Sequence, residues 1–302
     1  MAEVTFVTPT YAGDLSRFAF LRESMDLVGI SIPHIAVVHT EDVPSFAAIA
    51  KMENLTIVST AEVLPGPAEV LRRGPARRRI RRRGRELPGW VAQQIVKLTV
   101  SDLVESQVIV PLDSDTFFLR KVDPSDFFAD DGRSFLHEFR GLNVGSGAKT
   151  MHERACRILD LDPACSRDLT YIGVAPPLNR DIIKDLRTRL EQKYERPWWE
   201  AFITRDATEY PLHGLYARFL DSASFVAPID RRWCAAFFGY DEQEFTDQLS
   251  RAALDPSVRL GMVHSKLGVE PEAYHQVVRR AIATDADSES SWKPRGATIT
   301  RI

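Results

Sequence analysis

The chain has little cysteine and no long apolar run. Only Cys156, Cys165 and Cys234 occur among 302 residues, with no C-x-x-C pair and no even number to pair off. That pattern argues against a disulfide framework and a zinc site, and it points to reduced thiols in a cytoplasmic setting. No apolar stretch approaches the roughly 20 residues that span a bilayer. The opening Met1-Ala2-Glu3-Val4-Thr5-Phe6 runs straight into a strand pattern, not through a basic and then apolar leader. A glycine-rich phosphate loop is also missing, since the first loop reads Thr10-Tyr11-Ala12-Gly13-Asp14. The formal net charge of −3 does not suit the chain as a whole to nucleic acid. What is present is an ordinary globular composition, 44% hydrophobic and 27% charged. The length allows one large domain or two small ones.

In the first half, strand and helix patterns alternate. Strands are expected over 4–8, 32–39, 55–59 and 107–112, and helices over 14–28, 45–52 and 89–103. This order predicts an α/β fold, a Rossmann-type, mostly parallel sheet with helices on both faces. Ligands of such sheets sit beyond the carboxyl ends of the strands. Those ends carry Thr8-Pro9-Thr10-Tyr11, His39-Thr40-Glu41-Asp42 and Asp113-Ser114-Asp115, three polar clusters on one rim. The second half is less regular. Strands are expected over 134–139, 224–229 and 258–264, and helices over 149–159, 180–194 and 206–220. We expect residues 1–125 to form one half and 126–283 the other half of the same compact domain. The polar stretch 284–302 is expected to be a mobile tail.

The pentad Leu112-Asp113-Ser114-Asp115-Thr116 carries the most chemistry. A strand sends alternate side chains to one face, so Asp113 and Asp115 can aim at one point as the apolar run ends. Two hard anionic ligands suit Mg2+ or Mn2+. The alternative is a turn in which both aspartates cap backbone groups. His264, at the end of a strand pattern, is a third candidate ligand if it meets the aspartates and a structural histidine if it does not. On a helix, Trp90, Gln94 and Lys97 fall along one side. That stripe suits sugar hydroxyls and phosphate; otherwise it is a solvated face. Glu209, in Thr208-Glu209-Tyr210, is either a general base for a hydroxyl or a residue favoured at a helix start. Nine arginines between Leu71 and Leu87 (Arg72 to Arg85) have no aromatic interleaving. They suit a solvated loop, an acidic partner or a phosphorylated ligand better than single-stranded nucleic acid.

In order along the chain, these segments resemble the GT-A class of nucleotide-sugar-dependent glycosyltransferases, and more narrowly a bacterial glycosyltransferase-like family with a D-x-D motif. The matching pieces are the opening strand with Thr8-Pro9-Thr10-Tyr11, Gly89-Trp90 with Gln93-Gln94 and Lys97, Val110 to Asp115, Thr208-Glu209-Tyr210 and His264. The resemblance spans about residues 4–266. It implies a donor-binding half ending at the D-x-D strand, followed by an acceptor-binding and catalytic half. It implies that Asp115, helped by His264 and Asp113, binds Mn2+ or Mg2+ on the diphosphate of a nucleotide sugar. Thr8, Tyr11, Asp14, Trp90, Gln94, Lys97, Asp113 and Ser114 would border the donor. Glu209 would activate the acceptor hydroxyl if the reaction inverts the anomeric centre. The arginine-rich insert departs from the family pattern and suggests an acidic or phosphorylated acceptor. Two other functions stay open: a nucleotidyltransferase or other nucleotide-binding α/β enzyme, and a non-catalytic binder of acidic partners.

Overall fold

The computed structural model describes residues 3–73, 89–140, 146–221, 226–231, 233–237 and 242–291. The chain forms two compact units, each discontinuous in sequence. The first comprises 1–18, 31–114 and 123–232, and the second 19–30, 115–122 and 233–302. Both of the halves expected from the sequence contribute to the first unit.

The first unit is built on a five-stranded sheet. We label Val4–Thr10 β1, His34–Val38 β2, Leu55–Ser59 β3 and Val108–Pro111 β4. The order is β3-β2-β1-β4, all parallel, with Leu178–Asn179 added antiparallel beside β4. Every residue of β1 and β4 is buried. Strands covered on both faces carry no charge and are rich in β-branched residues, as Val4-Thr5-Phe6-Val7-Thr8 and Val108-Ile109-Val110 are, which is why these two were plain in the sequence. The chain steps from β1 outward through β2 and β3, then returns to place β4 on the other side of β1. That reversal is a topological switch point at the carboxyl ends of β1 and β4, the place where ligands of such sheets bind.

Two local expectations change. The helix expected over 45–52 is instead a pair of 3-10 turns, Thr40–Phe46 and Ile49–Lys51. Pro44 lies inside the first and removes a backbone donor, so an α-helix does not propagate there. The helix expected over 206–220 spans Glu209–Phe219, because Asp206 takes a left-handed φ of 56° just before it. Helices Ser146–Leu159, Arg180–Tyr194, Trp198–Thr204 and Glu209–Phe219 share one core, which includes Val7, Ile109, Leu186, Trp198, Phe202 and Leu212. Asn179 starts the helix Arg180–Tyr194. Its side chain accepts from the N–H groups of Asp181 and Ile182 at 3.0 and 3.3 Å.

The second unit holds a three-stranded sheet. Leu260–Val263 lies in the middle, parallel to Cys234–Phe237 and antiparallel to Thr116–Phe118. Its core is aromatic, with Phe20, Phe117, Phe237, Phe245 and Tyr274. Gly261 is required where it faces Phe117, since a Cβ there would lie 2.1 Å from the ring. The helix His275–Ser291 runs through 284–291, the start of the stretch expected to be a tail. Residues 292–302 of that stretch lie outside the described residues.

Candidate functional site

Lys97 organises the polar cluster of the first unit. It lies in the helix Gly89–Thr99, 5% exposed, beneath the end of an otherwise apolar packing face. Its ammonium donates to Asp113 Oδ1 at 3.1 Å, to the Tyr210 hydroxyl at 3.0 Å and to Glu209 Oε1 at 3.4 Å. It also lies 5.0 Å from the centroid of the Tyr210 ring. Burial opposes the charge, but Asp113, Tyr210 and Glu209 outweigh it and hold the Lys97 ammonium well above its ordinary range. Glu209 is the first residue of its helix and 5% exposed. Burial raises its carboxyl above the ordinary value against the pull of Lys97. Burial likewise raises the Tyr210 hydroxyl. The Asp113 side chain is 53% exposed and turns the cluster toward solvent.

Two unsatisfied groups flank this cluster. Gln94 Oε1, one helical turn before Lys97, is buried with no hydrogen-bond partner. So is the hydroxyl of Thr208, which occupies the cap position before Glu209 without capping the helix. Buried polar atoms in folded proteins are rarely left unpaired. The polar stripe on the helix is therefore no solvated face at Gln94 and Lys97, whereas Trp90 is 46% exposed.

The other expected donor residues fall at or under the same rim. Tyr11, 41% exposed, follows β1, and its ring lies 5.6 Å from the His39 ring, which follows β2. Asp42 accepts from the Ala12 N–H at 3.0 Å and fixes that turn. Ser114 donates to the Thr10 hydroxyl at 3.1 Å and ties the ends of β4 and β1 together. Thr8 is fully buried, and its hydroxyl pairs with His34 Nε2 at 2.8 Å, so its place is inside the sheet. Asp14 pairs with Arg17 at 3.2 Å. Sequence reasoning omitted Tyr210, His39 and Asp42 from the site, although all three sit inside motifs it had singled out.

In the second unit, Asp115 is 8% exposed and its Oδ2 accepts from the Ser265 N–H at 2.7 Å. Val263 N–H donates to the Asp115 carbonyl at 3.1 Å, which fixes the loop after Leu260–Val263. His264 Nδ1 accepts from the Lys266 N–H at 3.1 Å. Among the described residues, no three His, Cys, Asp or Glu side chains gather as a metal set. Asp115 and His264 each spend one acceptor atom on a backbone N–H, that of Ser265 and of Lys266. Cys234, near Asp115, is pushed up to about 12 by burial and then by that carboxylate, which makes it an inert thiol.

The arginine cluster lies outside the described residues from position 74 onward. The helix before it, Gly66–Arg73, is tied to the sheet through Glu69, which accepts from the hydroxyls of Thr40 and Thr60 at 3.2 and 3.1 Å. No described helix is long and apolar enough to cross a membrane.

Comparison with curated proteins finds no match. Among solved structures, the chain is similar to the galactosyltransferase LgtC in complex with donor and acceptor sugar analogs, with a TM-score of 0.47 and 10% identity over 96% of this chain and 98% of that one. An active-site mutant of LgtC gives a TM-score of 0.48 at 10% identity, over the same 96% and 98%. Mouse xyloside xylosyltransferase 1 in its apo form gives 0.47 at 7% identity, over 88% of this chain and 99% of that one. Likenesses at these values assign no activity to this chain. A family profile matches residues 4–246, and the chain belongs to that family, a family of unknown function (DUF6492).

Proposed function

We propose that this chain is a glycosyltransferase that moves a sugar from a nucleoside-diphosphate donor to an acceptor hydroxyl. The observation that carries the proposal is the buried Lys97 ammonium held between Asp113 and Glu209, just beyond the carboxyl end of β4 at the switch point. Glu209 takes the proton of the acceptor hydroxyl. Burial makes it a stronger base than an exposed carboxylate, and Lys97 keeps it ionised until the proton arrives. After transfer, Lys97 retains Asp113 as its counter-charge. Positioned general-base catalysis of this kind contributes about 10²–10⁴-fold. The unpartnered Gln94 carbonyl and Thr208 hydroxyl suit sugar hydroxyls, which both donate and accept. The exposed Tyr11 ring, backed by His39, suits stacking of the nucleotide base. Asp113, Asp115 and His264 are the residues that would hold Mn2+ or Mg2+, and a cation there would neutralise charge on the leaving diphosphate.

The test is release of nucleoside diphosphate from a panel of nucleotide sugars by the full chain and by Glu209→Gln. We expect turnover with at least one donor and a drop of about 10²-fold or more in the variant, with little change in KM. Pyrophosphate released from a nucleoside triphosphate would instead establish nucleotidyl transfer. Absence of nucleotide binding would refute both.

A further inference from the structure

None of these steps uses the cysteines, and two of the three meet in the first unit. Cys156 lies in the last turn of the helix Ser146–Leu159 and is fully buried. Cys165 lies in the 3-10 turn Pro163–Ser166 and is partly exposed. Their sulfurs are 4.0 Å apart. The backbone between them is closely specified. Asp160 takes a left-handed φ of 60° just past the helix, and the Leu161 N–H returns to the Cys156 carbonyl at 2.9 Å. Asp162 then caps the 3-10 turn, its side chain accepting from the Ala164 N–H at 2.9 Å. This reversal carries Cys165 back onto Cys156. The Ser166 hydroxyl, 3.4 Å from Cys156 Sγ, donates to the Pro163 carbonyl at 3.2 Å. Its one proton is spent there, so toward Cys156 it acts as an acceptor and fixes that sulfur beside Cys165.

A disulfide bond is about 2.05 Å long, so the two sulfurs need to close by about 2 Å, a step that rotation about their Cα–Cβ bonds supplies. The two thiols differ in access. A reagent in solution reaches the partly exposed Cys165 and not the buried Cys156, so one sulfur is placed to react first and the other to resolve the product. We propose that Cys156 and Cys165 are a modification site, a dithiol that a small-molecule disulfide converts to an intramolecular disulfide. The Cys165 thiolate attacks one sulfur of the reagent, whose S–S bond breaks and whose other half leaves as a thiolate that takes up a proton. Cys156 then loses its proton, attacks the Cys165 sulfur of the mixed disulfide and expels the second half as a thiol. Two protein thiols are oxidised, and one reagent disulfide is reduced to two thiols. Burial, and then Cys156 beside it, push the Cys165 thiol up to about 11. The reactive thiolate is therefore scarce at neutral pH and grows about tenfold per pH unit.

Oxidised glutathione, added at millimolar concentration to the reduced full chain, tests this. Peptide mapping after alkylation should find Cys156 linked to Cys165, with two hydrogens lost from the chain, and dithiothreitol should restore both thiols. The rate should rise about tenfold between pH 7 and pH 8. Cys156→Ser should stop at a stable glutathione adduct on Cys165. Cys165→Ser should form neither adduct nor link at Cys156, and Cys234→Ser should behave as the unmodified chain. Circular dichroism shows that each variant is folded; Cys165→Ser and the mapping of the unmodified chain carry the test if Cys156→Ser does not fold. Two thiols that merely pack together would stay reduced, which would overturn the proposal. So would a lasting glutathione adduct on the unmodified chain with no link, a link that includes Cys234, a link between two chains, or a rate indifferent to pH.

Discussion

Replacing Lys97 with Met leaves Glu209 buried without its cation, and the cost can be bounded from the structure. Removing one partner of a buried ion pair costs about 3–5 kcal/mol when the other must stay charged. Glu209 has an escape, because it can take up a proton. At pH 7, protonating a carboxyl with an ordinary value of 4.5 costs roughly 3.4 kcal/mol, at 1.36 kcal/mol per unit. That figure caps the electrostatic loss. Part of it is already present in the native protein, whose Glu209 is raised, so we expect Lys97→Met to lose less than this cap at pH 7. The exposed Asp113 partner adds little, since pairs open to solvent are worth about 0–1 kcal/mol. A group with a raised carboxyl pKa binds more protons folded than unfolded, so its stability contribution falls as pH rises above 4.5. The deficit must therefore shrink toward pH 5, where the same cap is only about 0.7 kcal/mol. Urea unfolding followed by tryptophan fluorescence at both pH values measures it. Lys97→Met with Glu209→Gln should recover much of the loss, because no buried charge remains. A deficit that is the same at pH 5 and pH 7, with no recovery in the double variant, would refute this account of the cluster.

Three further outcomes are expected. Tyr11→Ala should weaken nucleotide binding by about tenfold, since one aromatic stacking platform is worth about 1–3 kcal/mol per base; equilibrium titration with nucleoside diphosphates measures this. His213 is buried neutral and held down to about 4 by burial, with its Nε2 accepting from the Asn179 N–H at 3.0 Å. The unfolded chain takes up its proton first, so stability should fall by roughly 3 kcal/mol as pH drops from about 6.5 to 4, and unfolding of His213→Gln should lack that contribution. Asp115→Ala should cost about 1.5–3 kcal/mol in urea unfolding, because the Ser265 N–H loses a charged acceptor.

The strands were legible because burial on both faces leaves a segment uncharged and rich in β-branched residues. β3 occupies the range expected for it, and β1 and β4 differ only at their ends. Short strands such as Thr116–Phe118 and Leu178–Asn179 were missed, since two or three residues carry no period. The helices Glu242–Leu254 and His275–Ser291 were missed as well, because their faces are mixed and charged. At the site, Lys97, Gln94 and Glu209 stood out as polar groups in otherwise packable segments. Tyr210 did not, because a tyrosine beside a helix start is compatible with plain packing.

Sequence alone determined the alternation of strands and helices, and with it the rim on which the polar loops gather. Both follow from local periodicity and from the rule that ligands meet parallel sheets at their carboxyl ends. Only the tertiary structure decided that Lys97 and Glu209, 112 residues apart, are in contact. It likewise decided that Glu138 pairs with Arg140 and Arg218, and that Asp115 and His264 each bond to a backbone N–H. Such pairings depend on which elements pack together, and a chain records its own periodicity but not the partner each side chain will meet.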